Sequence, residues 1–271
     1  MHFDGVVREN PGGSFRPPSR DIDEARAAYL RIGNHWLRYE FARRFSEGKR
    51  LLDLGCGHGA GFLVLRGVCQ EYVGVDVDSS AIEWAQGCFG NDSCKPTFVT
   101  ADELRQNARL RNFDVVTSFE TIEHVWNPRA HIEQARTLLR PGGILLLSTP
   151  NGTLSSHRKE RFRTPYHIDE YSVHELSHLL DGYFDVVEYY GIYRADHLDS
   201  ILHFVRCSFT PSSPNPSVQP KPRGAVYNTI LGLFLARFNG VDFWRVRPLR
   251  TRSLDSKWFT TILAVCNRSP T

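Results

Sequence analysis

Residues 49–61 read KRLLDLGCGHGAG: two basic residues, a short apolar run, then glycine at every second position. The run Leu51-Leu52-Asp53-Leu54 is too short for a helix and nearly all apolar, as expected of a strand covered on both faces. Glycines 55, 57, 59 and 61 follow it directly and precede a helical segment. Such a loop lets a ligand approach the backbone where a side chain would collide with it, at the point where an open α/β sheet binds small molecules.

Three similar runs lie downstream, EYVGVDVD (71–78), FDVVTSF (113–119) and GILLLSTP (143–150). Helical segments separate them. Ser80 with Glu83 reads as a capping box, and Asn127-Pro128 as an N-cap with proline in the first turn of a helix that ends at Pro141-Gly142-Gly143. Upstream, Ala25, Ala28, Tyr29, Ile32, Trp36 and Phe45 recur at helical spacing, predicting a helix or a broken helical pair. Ser172 and Glu175 cap a further helix over 172–181, FDVVEYYG (184–191) reads as a strand, and WFTTILAVCN (258–267) as the closing strand. Strand alternating with helix predicts an α/β fold with a doubly wound sheet.

The 271 residues are 41% hydrophobic and 23% charged, which excludes a disordered chain, a coiled coil and a disulfide miniprotein. Six cysteines at 56, 69, 88, 94, 207 and 266 show no metal-finger or disulfide spacing, and residues 1–19 lack the apolar core of a signal peptide. A cytoplasmic protein with reduced thiols is the expectation. Residues 1–19 read as a flexible arm, 20–191 with 258–271 as the main domain, and 192–257 as a cap or docking insertion. The near-neutral total hides a division. Residues 206–271 hold ten Lys or Arg against Asp242 and Asp255, net +8, leaving 23 basic against 28 acidic residues, net −5, over 1–205. Arginines at 237, 245, 247, 250 and 252 flank Phe234, Phe238, Phe243 and Trp244, a composition suited to an anionic acceptor or a peripheral membrane contact through 225–257.

Asp76 closes the second run, 19 residues after Gly57, placed to accept hydrogen bonds from two ribose hydroxyls. Asp53 would repel a pyrophosphate and could accept from an amino group, which favours S-adenosylmethionine over a nicotinamide cofactor. The Asp-x-Gly-x-Gly-x-Gly loop resembles motif I of the class I S-adenosylmethionine methyltransferases. Further segments resemble that family's motifs in order: VGVDVD, Ala101-Asp102, FDVVTSFETIEHVWNP and LLRPGGILLLSTPN. The resemblance runs from Trp36 to Gly191 and over the last strand. Within the superfamily, Phe119–His124, Ser148–Asn151 and Pro165–Tyr171 are similar to a group related to the ubiquinone-type O-methyltransferases and to glycan and natural-product methyltransferases.

The resemblance implies a seven-stranded Rossmann-like sheet with an N-terminal helix and a long insertion before the last strand. It implies S-adenosyl-L-methionine as cofactor, with Asp53, Gly55 and Gly57 around the methionine half, Asp76 and Val77 at the ribose, Asp102 at the adenine and Phe119 lining the transfer site. Arg38, on the N-terminal helix with His35, Trp36 and Tyr39, is expected to pair with the methionine carboxylate. Methyl transfer to a hydroxyl requires in-line positioning and removal of a proton. Glu120, Glu123 and His124 follow the fourth strand, and His167 lies in TPYHIDEYS. Three readings stay open: the cluster orients the loop, His124 is a general base, or Glu120, Glu123, His124 and His167 bind a divalent metal as in small-RNA 2′-O-methyltransferases.

The expected function is O-methylation of a small molecule or glycan in a biosynthetic pathway. The alternatives are a metal-dependent enzyme acting on an RNA 2′-hydroxyl or a catechol, and a non-catalytic binding subunit. Nucleic acid is not the expected partner, because RNA recognition needs a basic face with stacking aromatics and only the insertion offers one. His174-Glu175-Leu-Ser-His178 spells a zinc-protease signature, but Asp181 and Phe184 stand where its extension requires glycine and histidine.

Overall fold

The computed structural model describes residues 16, 21–31, 35–154, 167–192, 247–248 and 261–270. In chain order the helices are α1 (Ile22–Arg31), α2 (His35–Ser46), α3 (Ala60–Leu65), α4 (Ser79–Phe89), α5 (Ala101–Gln106), α6 (Pro128–Leu138) and α7 (Val173–Leu180). The strands are β1 (Arg50–Leu54), β2 (Glu71–Asp76), β3 (Thr97–Thr100), β4 (Phe113–Phe119), β5 (Leu139–Pro150), β6 (Val186–Ile192), β7 (Arg247–Pro248) and β8 (Thr261–Asn267). They form one sheet in the order β3-β2-β1-β4-β5-β8-β6-β7, seven full strands with the two-residue β7 at the edge. Strands β1 to β5 pair in parallel, while β8 runs antiparallel to both β5 and β6.

Alternation along each strand divides the core in two. Leu52, Leu54, Val73, Val75, Leu145 and Leu147 pack on one face with Leu104, Ile132 and Leu176 of α5, α6 and α7. Leu51, Tyr72, Leu146 and Leu263 face the other way, onto Trp36, Phe62 and Phe89 of α2, α3 and α4. Covering both faces explains why the strands read as apolar runs rather than as alternating patterns.

Local signals hold with two adjustments. The Ser172–Glu175 box caps α7, and Asn127 Oδ1 accepts from Ala130 N at 3.1 Å to cap α6. Helix α4, by contrast, is capped by Asp78 and not by Ser80 with Glu83: Asp78 Oδ1 accepts from Ser80 N and Ala81 N at 2.9 and 3.4 Å. Two residues nearer the strand, a carboxylate reaches two orphan amides that the Ser80 hydroxyl, itself inside the helix, cannot serve. Helix α6 ends at Leu138, so Pro141-Gly142-Gly143 belongs to an extended β5 that starts at Leu139. The N-terminal stretch takes the second of its two expected forms, a broken pair, α1 and α2. Apart from Arg16, Ile192 and β7, the arm over 1–19 and the insertion over 192–257 lie outside the described residues, as does the start of the closing strand at 258–260. No helix among the described residues is long and apolar enough to cross a membrane.

Candidate active site

Strand β1 lies between β2 and β4, so the chain leaves it in opposite directions and opens a crevice at the carboxyl ends of these strands. The glycine loop forms its floor. Gly55 and Gly57 have φ of +86° and +52°, a left-handed backbone that side chains rarely adopt. At Gly55 a Cβ would also lie 2.4 Å from Thr121 Oγ1, so the loop packs directly on the turn after β4. Gly55 N and Cys56 N both donate to Val75 O, at 2.8 and 3.0 Å, which pins the loop to the end of β2.

Asp76 completes that junction. Its Oδ2 accepts from Gly57 N at 2.7 Å and its Oδ1 from Asp78 N at 3.0 Å. The amides of Gly57 and Asp78 hold one oxygen each and that of Val77 adds to them, and the half-buried carboxylate keeps acceptor capacity for a ribose hydroxyl. Burial pushes its carboxyl pKa up, opposed by the amide donors. A glycine-rich loop beside a carboxylate with acceptor capacity left fits the ribose and methionine halves of S-adenosylmethionine. Val77, next along, packs against the hydrophobic core on the α5 face.

Asp53 does not reach the crevice, contrary to the expectation that it cradles the methionine half. It is 0% exposed, and its carboxylate accepts from three hydroxyls: Tyr39 and Tyr72 on Oδ2 at 3.0 and 2.7 Å, and Thr117 on Oδ1 at 2.7 Å. Alternation decides this, since Asp53 shares the face of Leu51 and so points into the layer under α2 and α3. Desolvation pushes its pKa up while the three donors pull it down. Gly61 keeps this polar knot closed, for a Cβ there would stand 2.3 Å from Tyr39 Cε1 and 2.6 Å from Asp53 Oδ2.

Arg38 is also redirected. It is buried and grips Glu120, with Nη2 to Oε2 at 2.9 Å and Nε to Oε1 at 3.2 Å, in place of a cofactor carboxylate. Arg38 also donates to Ser148 Oγ and Thr261 Oγ1, each at 3.1 Å, joining α2 to the ends of β4, β5 and β8. A buried guanidinium needs such a set of partners to offset its desolvation. Glu120 has φ of +52°, a strained backbone for a non-glycine residue at the end of β4. Phe119 before it is buried edge to face against Tyr39, with ring centroids 5.1 Å apart. Asp102, in the first turn of α5, is 72% exposed and pairs with Arg105.

The turn after β4, Ile122–His124, buries both Glu123 and His124. Glu123 Oε2 accepts from Thr149 Oγ1 at 3.0 Å, whereas Oε1 is buried with no hydrogen-bond partner among the described residues. Its nearest cation-forming neighbour is His124 Nε2 at 4.0 Å. Burial, with the Glu120 charge added, drives the Glu123 pKa well above the usual carboxylate range. His167 comes back over this turn, its ring 4.8 Å from that of His124 in an edge-to-face contact. Potential ligand atoms of Glu123, His124 and His167 lie within 4.8 Å of one another. Glu120 is not in that group, since Arg38 and Ser148 hold its carboxylate, so three of the four residues of the metal reading come together.

Glu123→Gln tests this electrostatic picture. Because the native state holds a proton on Glu123 that the unfolded chain releases, stability should fall as pH rises above the ordinary carboxylate range. The variant lacks that slope, so its unfolding temperature by calorimetry should exceed that of the parent protein by roughly 2–4 °C more at pH 8 than at pH 5. An equal difference at both values would refute it.

Sequence reasoning missed Glu170, whose side chain is 2% exposed and whose Oε1 lies 2.7 Å from His167 Nδ1. It also missed the hydroxyl partners Ser148 and Thr149, although the segment Ser148–Asn151 had been singled out. His174 and His178 stack on the exposed side of α7, and Glu175 is spent on capping Ser172, so no protease centre forms there.

Residues 24–188 match the family model described as a methyltransferase domain. Curated relatives include ubiquinone biosynthesis O-methyltransferases of Mesorhizobium japonicum and a Chelativorans species. The first is 33% identical over 54% of this chain and 59% of its own length, the second 32% over 57% and 62%. The chain spans about three fifths of the length of these relatives. A SAM-dependent methyltransferase structure from Thermotoga maritima superposes with a TM-score of 0.50 at 15% identity, covering 90% of this chain and 99% of that one, a likeness of fold.

Proposed function

Because the chain belongs to the methyltransferase-domain family, we propose that it transfers the methyl group of S-adenosylmethionine to a hydroxyl of a small molecule or glycan. The observation that carries this reading is the meeting of two halves of the chemistry at one edge of the sheet. Asp76, able to accept from a ribose hydroxyl, ends β2, and His124 follows β4 with the later His167 ring against it, while the neighbour of β4 is β1 with the glycine loop.

When bound, the cofactor supplies a sulfonium methyl group open to in-line displacement. The chain's own residues do the rest. Gly55, Gly57 and Gly59 offer bare backbone for close approach, and Asp76 accepts from the ribose. Asp102 is available to the adenine amino group, since its surface pair with Arg105 costs little to rearrange. Phe119 keeps the wall by the reacting atoms apolar, and Arg38, by holding Glu120, anchors α2 against that wall. A hydroxyl is favoured as acceptor by imidazoles able to take its proton and by the O-methyltransferases among the relatives. The excess positive charge of residues 206–271 supports an anionic acceptor.

The test is incubation of the full chain with methyl-tritiated S-adenosylmethionine and a panel of catechols, phenols, sugars and nucleotide sugars. Label recovered as an alkali-stable methyl ether, with turnover unaffected by EDTA, is the expected result. Cofactor binding without transfer to any hydroxyl, or transfer only to nitrogen, overturns the reading.

A further inference from the structure

Trp126 is the large apolar side chain left in water among the described residues, 67% exposed. Single exposed apolar residues are ordinary, so position and rigidity decide what this one means. It follows the Ile122–His124 turn at the carboxyl end of β4, the strand beside β1 and its glycine loop. Its backbone is fixed on both sides. Val125 is buried and its N donates to Ile122 O at 3.3 Å. Asn127 Oδ1 accepts from Ala130 N at 3.1 Å and Asn127 O from His131 N at 3.2 Å, and Pro128 fixes φ at the first position of α6. The chain around Trp126 therefore has no slack with which to withdraw the indole from water at the edge of the crevice.

The carboxylates and amides that flank this turn already have partners. Arg38 and Ser148 hold Glu120, Thr149 holds Glu123 Oε2, and Glu170 lies against His167. Asn151 Oδ1 accepts from Thr153 N at 3.1 Å. Glu123 Oε1 is unpaired, but that side chain is 1% exposed and out of reach of a ligand at the surface. A sugar carries several hydroxyls, each costly to take out of water without a partner, and needs free polar groups around its ring. A phenol has one or two hydroxyls on the edge of a flat apolar ring. An exposed indole beside spent polar groups suits the phenol, since aromatic pairs gain from offset or edge-to-face contact at roughly 4.5–7 Å between centroids.

We propose that Trp126 is an acceptor-binding residue whose indole takes the flat face of a phenolic ring, and that the hydroxyl methylated is the one this ring carries. The inference rests on the hydroxyl-methylation reading and deepens it by naming the acceptor class, a phenol or catechol in preference to a sugar. The phenolic oxygen forms the new O–C bond with the methyl carbon and loses its proton to water, while the electron pair of the broken C–S bond stays on sulfur. A phenol ionises near pH 10, as tyrosine does, so its proton leaves far more readily than that of a sugar hydroxyl. Trp126 contributes by binding and orienting the ring and takes no part in the proton's path.

On phenols and catechols methylated in the panel, Trp126→Ala should raise KM about 10-fold or more and leave kcat within about twofold, because stacking holds ground state and transition state alike. Trp126→Phe, which keeps a ring, should recover most of that loss. Calorimetric cofactor affinity and unfolding temperature should stay at the values of the parent protein in both variants, since the side chain lies in water. With S-adenosylhomocysteine present so that no turnover occurs, catechol should quench the indole fluorescence of the full chain more than that of Trp126→Phe, and methyl glucoside should quench neither. A KM in Trp126→Ala within about twofold of the parent, a loss confined to kcat, or methylation of sugars with no phenol turned over overturns the proposal. Intact cofactor binding with no hydroxyl methylated overturns the hydroxyl reading. The fluorescence then decides Trp126 separately, and equal quenching in parent and Trp126→Phe removes its role as well.

Discussion

Asp76→Ala is expected to weaken S-adenosylmethionine binding by about 100-fold, the equivalent of about 3 kcal/mol, in calorimetry of the full chain. Two effects combine. The carboxylate is the group placed to accept from the ribose diol, and hydrogen bonds to a charged acceptor are worth roughly 1.5–3 kcal/mol each. The same side chain also takes the amides of Gly57 and Asp78, so its removal slackens the loop that a ligand must approach. Because Asp76 is half-buried, water can reach the released amides, and the fold should survive with a cost of about 1 kcal/mol. Unchanged affinity in a folded variant would refute the ribose assignment. Asp76→Asn separates the effects, since its amide oxygen can hold one loop amide while the negative charge is gone.

Asp53→Ala should do the opposite, damaging the fold more than the cofactor contacts. It strands the hydroxyls of Tyr39, Tyr72 and Thr117 in a dry layer and opens a cavity where the carboxylate stood. Each orphaned buried donor costs roughly 1–3 kcal/mol, partly relieved by re-pairing among the hydroxyls, so a total loss of about 3–5 kcal/mol is expected. Urea unfolding should show the midpoint fall with the slope preserved. Asp53→Asn should cost less than half as much, because burial already works against the ionised carboxylate and the amide keeps one acceptor. A loss below about 1 kcal/mol in Asp53→Ala would mean that the three hydroxyls do not depend on it.

These two aspartates show how far local pattern carries. Both lie at or next to the end of an apolar strand run that precedes a glycine-rich or polar turn, and the sequence places each at the edge of the crevice. Asp76 is there. Asp53 is one residue short of its strand's end, on the face of Leu51, where the next layer is aromatic rather than solvent or ligand. The period of two contained that answer, but its meaning required knowing that α2 would bring Tyr39 over that face. Arg38 followed the same course. Its helix was legible, yet its partners Glu120 and Thr261 are 82 and 223 residues away, and no local signal selects them over a cofactor carboxylate.

The candidate cluster after β4 was partly legible for the same reason. Glu123, His124 and His167 were named from motif spacing, and the fold brings those three together. Glu120 sits beside them in the chain but its left-handed backbone and its pair with Arg38 take its carboxylate elsewhere. Glu170 gave no signal of its own, because an acidic residue in a loop is usually solvated. Its significance arises only when Gly152 and Glu123 pin the loop and leave the carboxylate buried against His167.

The sequence alone determined the α/β class, the parallel order of strand and helix, the glycine loop and the carboxylate after the second strand. These depend on short-range periodicity and on backbone freedom, which a few neighbouring residues encode. Tertiary structure alone decided that β8 lies antiparallel between β5 and β6, that Asp53 and Arg38 meet buried partners far along the chain, and that the Glu170 carboxylate meets the His167 ring. A polar group removed from water must find a partner, and which partner it meets depends on elements tens to hundreds of residues away.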